Sequence, residues 1–362
     1  MIPVSIGKSG RTLLRTILLA FLTLVILVGG FLLLQKMQSI KIIMTLFAIV
    51  WGVGATALLY YTMNSIAQFM PRKIQSIAVA FVFAGPAIIL VFWALVFPTI
   101  RSLWLSLFDS NGVEFVGIKN YMFAFTDPAM LESFRNNLLW MVFGTSTCVI
   151  LGIIIAVLAD KSRYEKIFKS LIFMPMAISF VGAGVIWKFM YAYKGTGINI
   201  VEIGLFNAIM VALGQEAQAW LLTPFWNNFF LIFIMVWLQT GYAMVIISSA
   251  IKAMPDRLIE AAQVDGAGGF TIFFHITLPY ITPTIITVAT TILIFSLKLF
   301  DIVRVMTGGN YGTNVIANEF YLRQFTYGET GQASAITIVL LIVIIPVLIY
   351  NLNQFRNRQI LK

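Results

Sequence analysis

The sequence predicts an all-α integral membrane protein, and three observations predict it. Apolar side chains make up 60% of the 362 residues, charged ones only 10%, and the mean hydropathy is +0.94. Ordinary soluble domains carry roughly 25% charged residues, so soluble enzymes, disordered tails and nucleic-acid readers fit poorly. Second, the apolar residues fall into long stretches of about 20, enough for a helix to cross ~30 Å of hydrocarbon. Third, the stretches lack the ~10-residue alternation of barrel strands, which leaves a helical bundle.

The predicted spans run, in order, over Leu13–Leu34, Ile42–Tyr61, Ile77–Phe97, Leu138–Leu158, Leu171–Tyr191, Phe229–Ile251, Tyr280–Leu299 and Ala335–Asn351. The first follows Lys8, Arg11 and Arg15, as a signal peptide would. Its apolar run is too long for one and no Ala-x-Ala site follows, so it reads as a retained anchor. Pro71, Arg72 and Lys73 interrupt the chain between the second and third spans. Residues 1–76 therefore read as an amino-terminal two-helix extension, and 77–362 as a six-span core.

The formal charge of +10 is a matter of placement. With both termini cytoplasmic, the inner segments hold 14 of the 24 basic residues and five of the 14 acidic ones. The excess sits on the shorter segments, as the positive-inside rule expects. The longer outer segments, Pro98–Asn137, Ala192–Asn228 and Phe300–Ser334, mix aromatic and polar residues and read as folded.

Several chemistries fall away. One cysteine and one histidine leave no disulfide framework, no metal site and no catalytic triad. Cys148 lies among small residues suited to helix packing, and His275 has no second histidine nearby. Gly7-Lys8-Ser9 resembles the end of a phosphate-binding loop, but Ile2 stands where the first glycine belongs and no strand precedes it. Mid-span charges, which mark proton relays, are nearly absent. Lys298 and Asp301 are the exception, three apart at the end of the seventh span and placed for a helix-end ion pair.

The longest inner loop runs from Lys252 to Pro279. Pro255 suits the start of a helix and Asp256 its positive end. Leu258, Ala261, Ala262 and Asp265 follow at near-helical spacing, and Gly266, Gly268 and Gly269 end or bend the helix. A second short helix then presents Phe270, Phe273 and Phe274 before Pro279. Two short helices around a small-residue corner suit entry into a groove on another protein. An amphipathic helix lying on the bilayer is the alternative, but basic residues are few here.

Within that loop, Glu260-Ala261-Ala262, three residues, Gly266, nine residues, Ile276, one residue, then Leu278-Pro279 resembles the EAA signature of binding-protein-dependent ABC importer permeases. Phe115-Val116-Gly117-Ile118-Lys119-Asn120-Tyr121, and Phe300-Asp301-Ile302-Val303 leading to Met306-Thr307-Gly308-Gly309, are similar to external segments of the sugar-type members. The resemblance covers about Phe81 to the carboxyl terminus. It is greatest to permeases for α-glucosides and glucosylglycerol, and extends to the larger maltose permease subunit, which also carries extra amino-terminal spans.

The resemblance implies one half of a translocation pore in a bacterial or archaeal plasma (inner) membrane. The implied partners are a second permease subunit forming a heterodimer, two ABC ATPase subunits that bind ATP and Mg, and an extracytoplasmic solute-binding protein. The solute would be sugar-like, of the α-glucoside, trehalose/sucrose or glucosylglycerol class. This chain would hold no cofactor and no catalytic residue, and would contact no nucleic acid. Glu260, Ala261, Ala262, Asp265, Gly266, Ile276, Leu278 and Pro279 would couple it to the ATPase, with Glu260 the anchor charge and Gly266 the close-approach corner. By motif distance, Met176, Ser179, Gln239, Tyr242, Phe295 and Ser296 become the substrate-path candidates. Inter-helix hydrogen bonding is the other reading of Gln239 and Tyr242. Rival functions are a permease for a non-sugar solute, a self-sufficient secondary transporter and a membrane-bound enzyme. The sparse mid-membrane charges disfavour the second, and the lack of a converging acid, base or metal constellation disfavours the third.

Overall fold

The structure, a computed structural model, describes residues 6–36, 41–68, 72–194 and 204–360. Pro71, part of the Ala192–Asn228 segment and Lys362 lie outside them. The chain forms two compact units, Met1–Ile100 and Arg101–Lys362. The division thus falls 24 residues beyond the one suggested by the Pro71-Arg72-Lys73 interruption, because the third span packs on the second.

In the first unit, α1 (Ile6–Lys36) and α2 (Lys41–Ala67) form an antiparallel pair, followed by α3 (Ile74–Leu105), which runs past the boundary. Hydrocarbon offers no hydrogen bonds, so polar groups on such helices find partners on each other. The Thr23 and Thr62 hydroxyls meet at 2.7 Å, and the Trp51 indole N–H donates to the Ile26 carbonyl at 3.0 Å. Gly30 makes room for that indole: a Cβ there would stand 1.9 Å from Trp51 Nε1. Tyr60 stacks on Phe83 to tie α2 to α3.

The second unit is built around α9. In chain order its helices are α4 (Lys119–Thr126), α5 (Pro128–Asp160), α6 (Glu165–Ala177), α7 (Phe180–Met190), α8 (Leu205–Ala212), α9 (Trp226–Lys252), α10 (Asp256–Val264), α11 (Gly269–Leu297), α12 (Asp301–Met306), α13 (Ile316–Tyr321) and α14 (Thr330–Ile360). The α9 residues Leu231, Ile234, Met235, Ala243, Met244 and Ile247 are fully buried, and α5, α6 and α11 pack around them. Small residues permit the close approach, as in other membrane bundles. A Cβ on Gly152 of α5 would meet the Ala243 Cβ at 2.6 Å. One on Gly241 would meet the Ile172 carbonyl oxygen at 2.5 Å.

Among the described residues, seven helices are long and apolar enough to cross a membrane, and the α6–α7 pair makes eight when counted as one span. Where one continuous helix was expected at Leu171–Tyr191, the chain forms two, bent by 101° at their junction. Pro175 sits in a tight turn over Met174–Ala177, Ile178 is extended, and the Ser179 hydroxyl accepts from Gly182 N at 3.0 Å to cap α7. A proline without an N–H followed by a serine N-cap ends one helix and starts another.

The end of the bundle opposite the 252–279 loop is held by amides. Asn136 donates to the carbonyls of Gly312 and Asn314, Asn228 to Gly312, and Asn227 to Tyr311. Asn137 donates to the Leu297 carbonyl and accepts from Ile316 N. All four asparagines are buried, so their bonds fix the chain around Gly308–Asn314 rather than competing with water. Asn120 of the Phe115–Tyr121 segment likewise donates to Ser106 and Phe108 carbonyls.

Candidate coupling loop and translocation site

The loop that leaves α9 at Lys252 forms α10, turns, and enters α11. Pro255 stands at the N-cap and Asp256 in the first turn, where the helix dipole favours a carboxylate. The helix ends at Gly266, whose φ of +82° is the left-handed conformation that glycine adopts at least cost. Gly266 N donates to the Gln263 carbonyl and Ala267 N to that of Ala262, closing the last turn. Nothing lies within 4 Å of where a Gly266 Cβ would be, so the corner is open.

This segment buries one face and presents the other. Met254, Ala262 and Ile272 turn inward. Val264 is 88% and Phe270 84% exposed, and Leu258 and Phe274 are exposed beside them. Glu260 is exposed and forms no ion pair with any described residue. Ala261 and Asp265 are exposed too, whereas Ile276 and Leu278 are half-buried and Pro279 is exposed. Exposed Glu260 and Asp265 beside exposed Val264 and Phe270 make a mixed charged and apolar surface of the kind a protein partner can cover.

Beneath the loop, charges from three helices converge. Lys169 of α6 bonds Asp160 at the end of α5, Glu165 at 2.6 Å, and the Ser248 hydroxyl of α9. Ser248 in turn donates to Asp160 at 2.7 Å. Lys252, the first residue of the loop, pairs with Glu165 and lies 4.0 Å from Asp160. The sequence counted these as separate topology charges. Their partners lie up to 88 residues apart, so no local pattern announces the cluster.

A cavity of about 340 Å³ lies where α7 meets the end of α11, lined by Phe180, Thr291, Ile294, Phe295, Lys298, Leu299 and Asp301. The Phe180 and Phe295 rings stand 5.4 Å apart and tilted by 39°. Lys298 and Asp301 do not form the expected ion pair. Phe300 separates them with a distinct backbone conformation, and both side chains are left lining the cavity wall. An aromatic pair beside one cation and one carboxylate can hold a molecule with apolar faces and polar edges.

Over residues 148–359 the chain matches the family described as "Binding-protein-dependent transport system inner membrane component". The chain belongs to this family. It is a multi-pass permease of the inner membrane. The permease is 51% identical over 280 residues to "Osmoprotective compounds uptake permease protein GgtC" of Synechocystis sp., which covers 77% of this chain and 100% of that protein. It is 43% identical over 331 residues to "Alpha-glucoside transport system permease protein AglF" of Rhizobium meliloti, covering 88% and 97%. Among solved structures it is similar to a chain of a bacterial alginate ABC transporter crystallised with an alginate pentasaccharide-bound periplasmic protein. The TM-score is 0.68 at 20% identity, over 77% of this chain and 94% of that one, a likeness of fold.

The permease does not bring its six substrate-path candidates into one cavity. Phe295 lines it. Ser296, the next residue, is fully buried and donates to the Leu293 carbonyl, while Ser179 is committed to capping α7. Gln239 is 5% exposed within the α9 core and Tyr242 is half-buried against it. Met176 is exposed in the break between α6 and α7. Phe180 and Thr291 were not singled out from sequence. Thr291, Phe295 and Lys298 repeat at helical spacing, a signal that could have found the lining of α11.

Proposed function

We propose that the permease forms half of the pore of an ATP-driven importer for a glucosyl solute, and that its 252–279 loop docks in a cleft of an ATPase subunit. The observation that carries this reading is the loop itself: a glycine corner, an unpaired Glu260, and Val264 and Phe270 exposed beside it. Closure of the ATPase pair on ATP would move the docked loop, and the ion-paired base around Glu165 and Lys252 would pass that movement to α6 and α9. The bundle then switches between two arrangements, biased at one interface. ATP and Mg belong to the partner ATPase subunits in this reading, and this chain works without a cofactor.

The remaining partners are a second, different permease subunit and an extracytoplasmic solute-binding protein. Both termini and the coupling loop lie in the cytoplasm, which agrees with the basic inner segments. The solute class rests on the names of the relatives above and on the Phe180–Phe295 cavity, whose rings suit the apolar faces of a pyranose.

The test is uptake into vesicles carrying the whole transporter and its binding protein. Glu260→Ala should remove ATP-driven uptake with membrane insertion intact, and undiminished uptake overturns the docking assignment. Trehalose, sucrose, maltose and glucosylglycerol compete for the same uptake if the solute is glucosyl. Competition only by a non-sugar solute overturns that class.

A further inference from the structure

A second concavity, of about 540 Å³, runs along the outer face of the permease between α5 and α11. Ile150 and Ile154 line one wall, Phe270, Phe274 and Leu278 the other, and Lys161 stands at its loop-side end. From Ile150 to Lys161 is eleven residues, so the groove is about 16 Å long at the helical rise. That is half of a ~30 Å hydrocarbon core, the depth of one leaflet.

Lys161 is the charged residue that lines it, and the turn that follows carries two further cations. Lys161, Arg163 and Lys166 form no ion pair with any described residue, and Arg163 lies over the Tyr164 ring. The neighbouring carboxylates of Asp160 and Glu165 are already taken by Lys169 and Lys252. The turn after α5 is therefore a free cationic rim over an apolar slot. We infer that this groove seats an anionic phospholipid, with one acyl chain along Ile150, Ile154 and Phe274 and the phosphate at Lys161. Basic pockets between membrane helices take anionic headgroups by this combination. Because Phe270 and Phe274 form one wall, an occupied groove supports the loop just past its Gly266 corner and sets how far that loop can move.

The test uses the transporter assembled with its partner subunits, in nanodiscs of phosphatidylglycerol and phosphatidylcholine in equal parts. Native mass spectrometry should find phosphatidylglycerol retained on this chain in preference to phosphatidylcholine. Lys161→Gln, an exposed substitution, should lower that retention about fivefold, the effect of one basic residue near a charged headgroup. Ile154→Trp should fill the groove and abolish retention, whereas Ile342→Trp, on an exposed face of α14, should not change it. Equal retention of both lipids, or retention indifferent to Lys161 and Ile154, overturns the assignment. So does a cross-link from position 270 to the second permease with no lipid retained, which makes the groove a helix interface. Lipid retention is read without transport, so its outcome is separable from that of the importer proposal.

Discussion

Lys252, the last residue of α9, is ion-paired with Glu165, the first residue of α6. The pair joins the entrance of the 252–279 loop to a helix that begins 87 residues earlier. Lys252 is half exposed, and exposed pairs contribute only about 0.2–1 kcal/mol to stability. Lys252→Gln should therefore leave the melting temperature nearly unchanged, because Glu165 keeps its bond to Lys169. Its effect should appear instead as ATP hydrolysis less tightly tied to uptake, with fewer solutes moved per ATP. Lys252→Arg, which keeps the charge, should preserve that ratio. A ratio untouched by Lys252→Gln removes the pair from the coupling path.

Gly266 can be probed by conformation alone. With open space around its Cβ position, Gly266→Ala costs only the left-handed backbone, roughly 1–2 kcal/mol. Gly266→Asn should cost less, because asparagine tolerates that region. Uptake should then rank glycine, asparagine, alanine, with equal amounts of each protein in the membrane. An alanine variant as active as the parent would show that the corner can be rebuilt.

The cavity makes Phe295 a stronger candidate than Gln239. Phe295→Ala removes one face of an aromatic pair of the kind that contributes about 0.5–1.5 kcal/mol beyond its buried area. The KM for uptake should rise several-fold, with a similar rise for Phe180→Ala. Gln239→Ala, within the α9 core, should lower thermal stability before it changes KM. The reverse order in saturation curves would move the solute path toward α9.

Packing of α5 against α9 is tight enough for one methyl group to matter. A Cβ on Gly152 would stand 2.6 Å from the Ala243 Cβ and 3.1 Å from backbone atoms of Ala243 and Met244. Overpacking of this kind costs about 1–3 kcal/mol. Gly152→Ala should thus lower the melting temperature of the detergent-solubilised protein, and Gly152→Val should do so further. No shift for either would mean that the helices separate without penalty.

The spans were legible because the bilayer demands apolar side chains over a fixed length, and hydropathy reports that demand directly. The break within Leu171–Tyr191 was less visible. Met174, Pro175, Met176 and Ala177 are all apolar, so the window looks continuous although the backbone turns by 101°. Pro175 and Ser179 carried the warning, one lacking an N–H and the other fit to cap. The 252–279 loop stood out because Glu260, Gly266 and Pro279 lie close in sequence with fixed spacing. The cavity could not: Phe180 and Phe295 come from helices separated by more than a hundred residues. A separation of 88 residues likewise hid the Asp160–Ser248 bond.

The two ends of the second unit are fastened by different chemistry. Around Gly308–Asn314 the clasp is made of asparagine amides, which neither titrate nor respond strongly to ions in the medium. At the loop end it is made of Asp160, Glu165, Lys169 and Lys252, whose mutual attraction weakens as salt accumulates. The Gly308–Asn314 end carries one such pair as well, Arg323 with Glu319, so rising ionic strength loosens both ends and the loop end more. In a cell that is losing water and concentrating its ions, the end around Glu165 and Lys252 would soften more than the end clasped by amides.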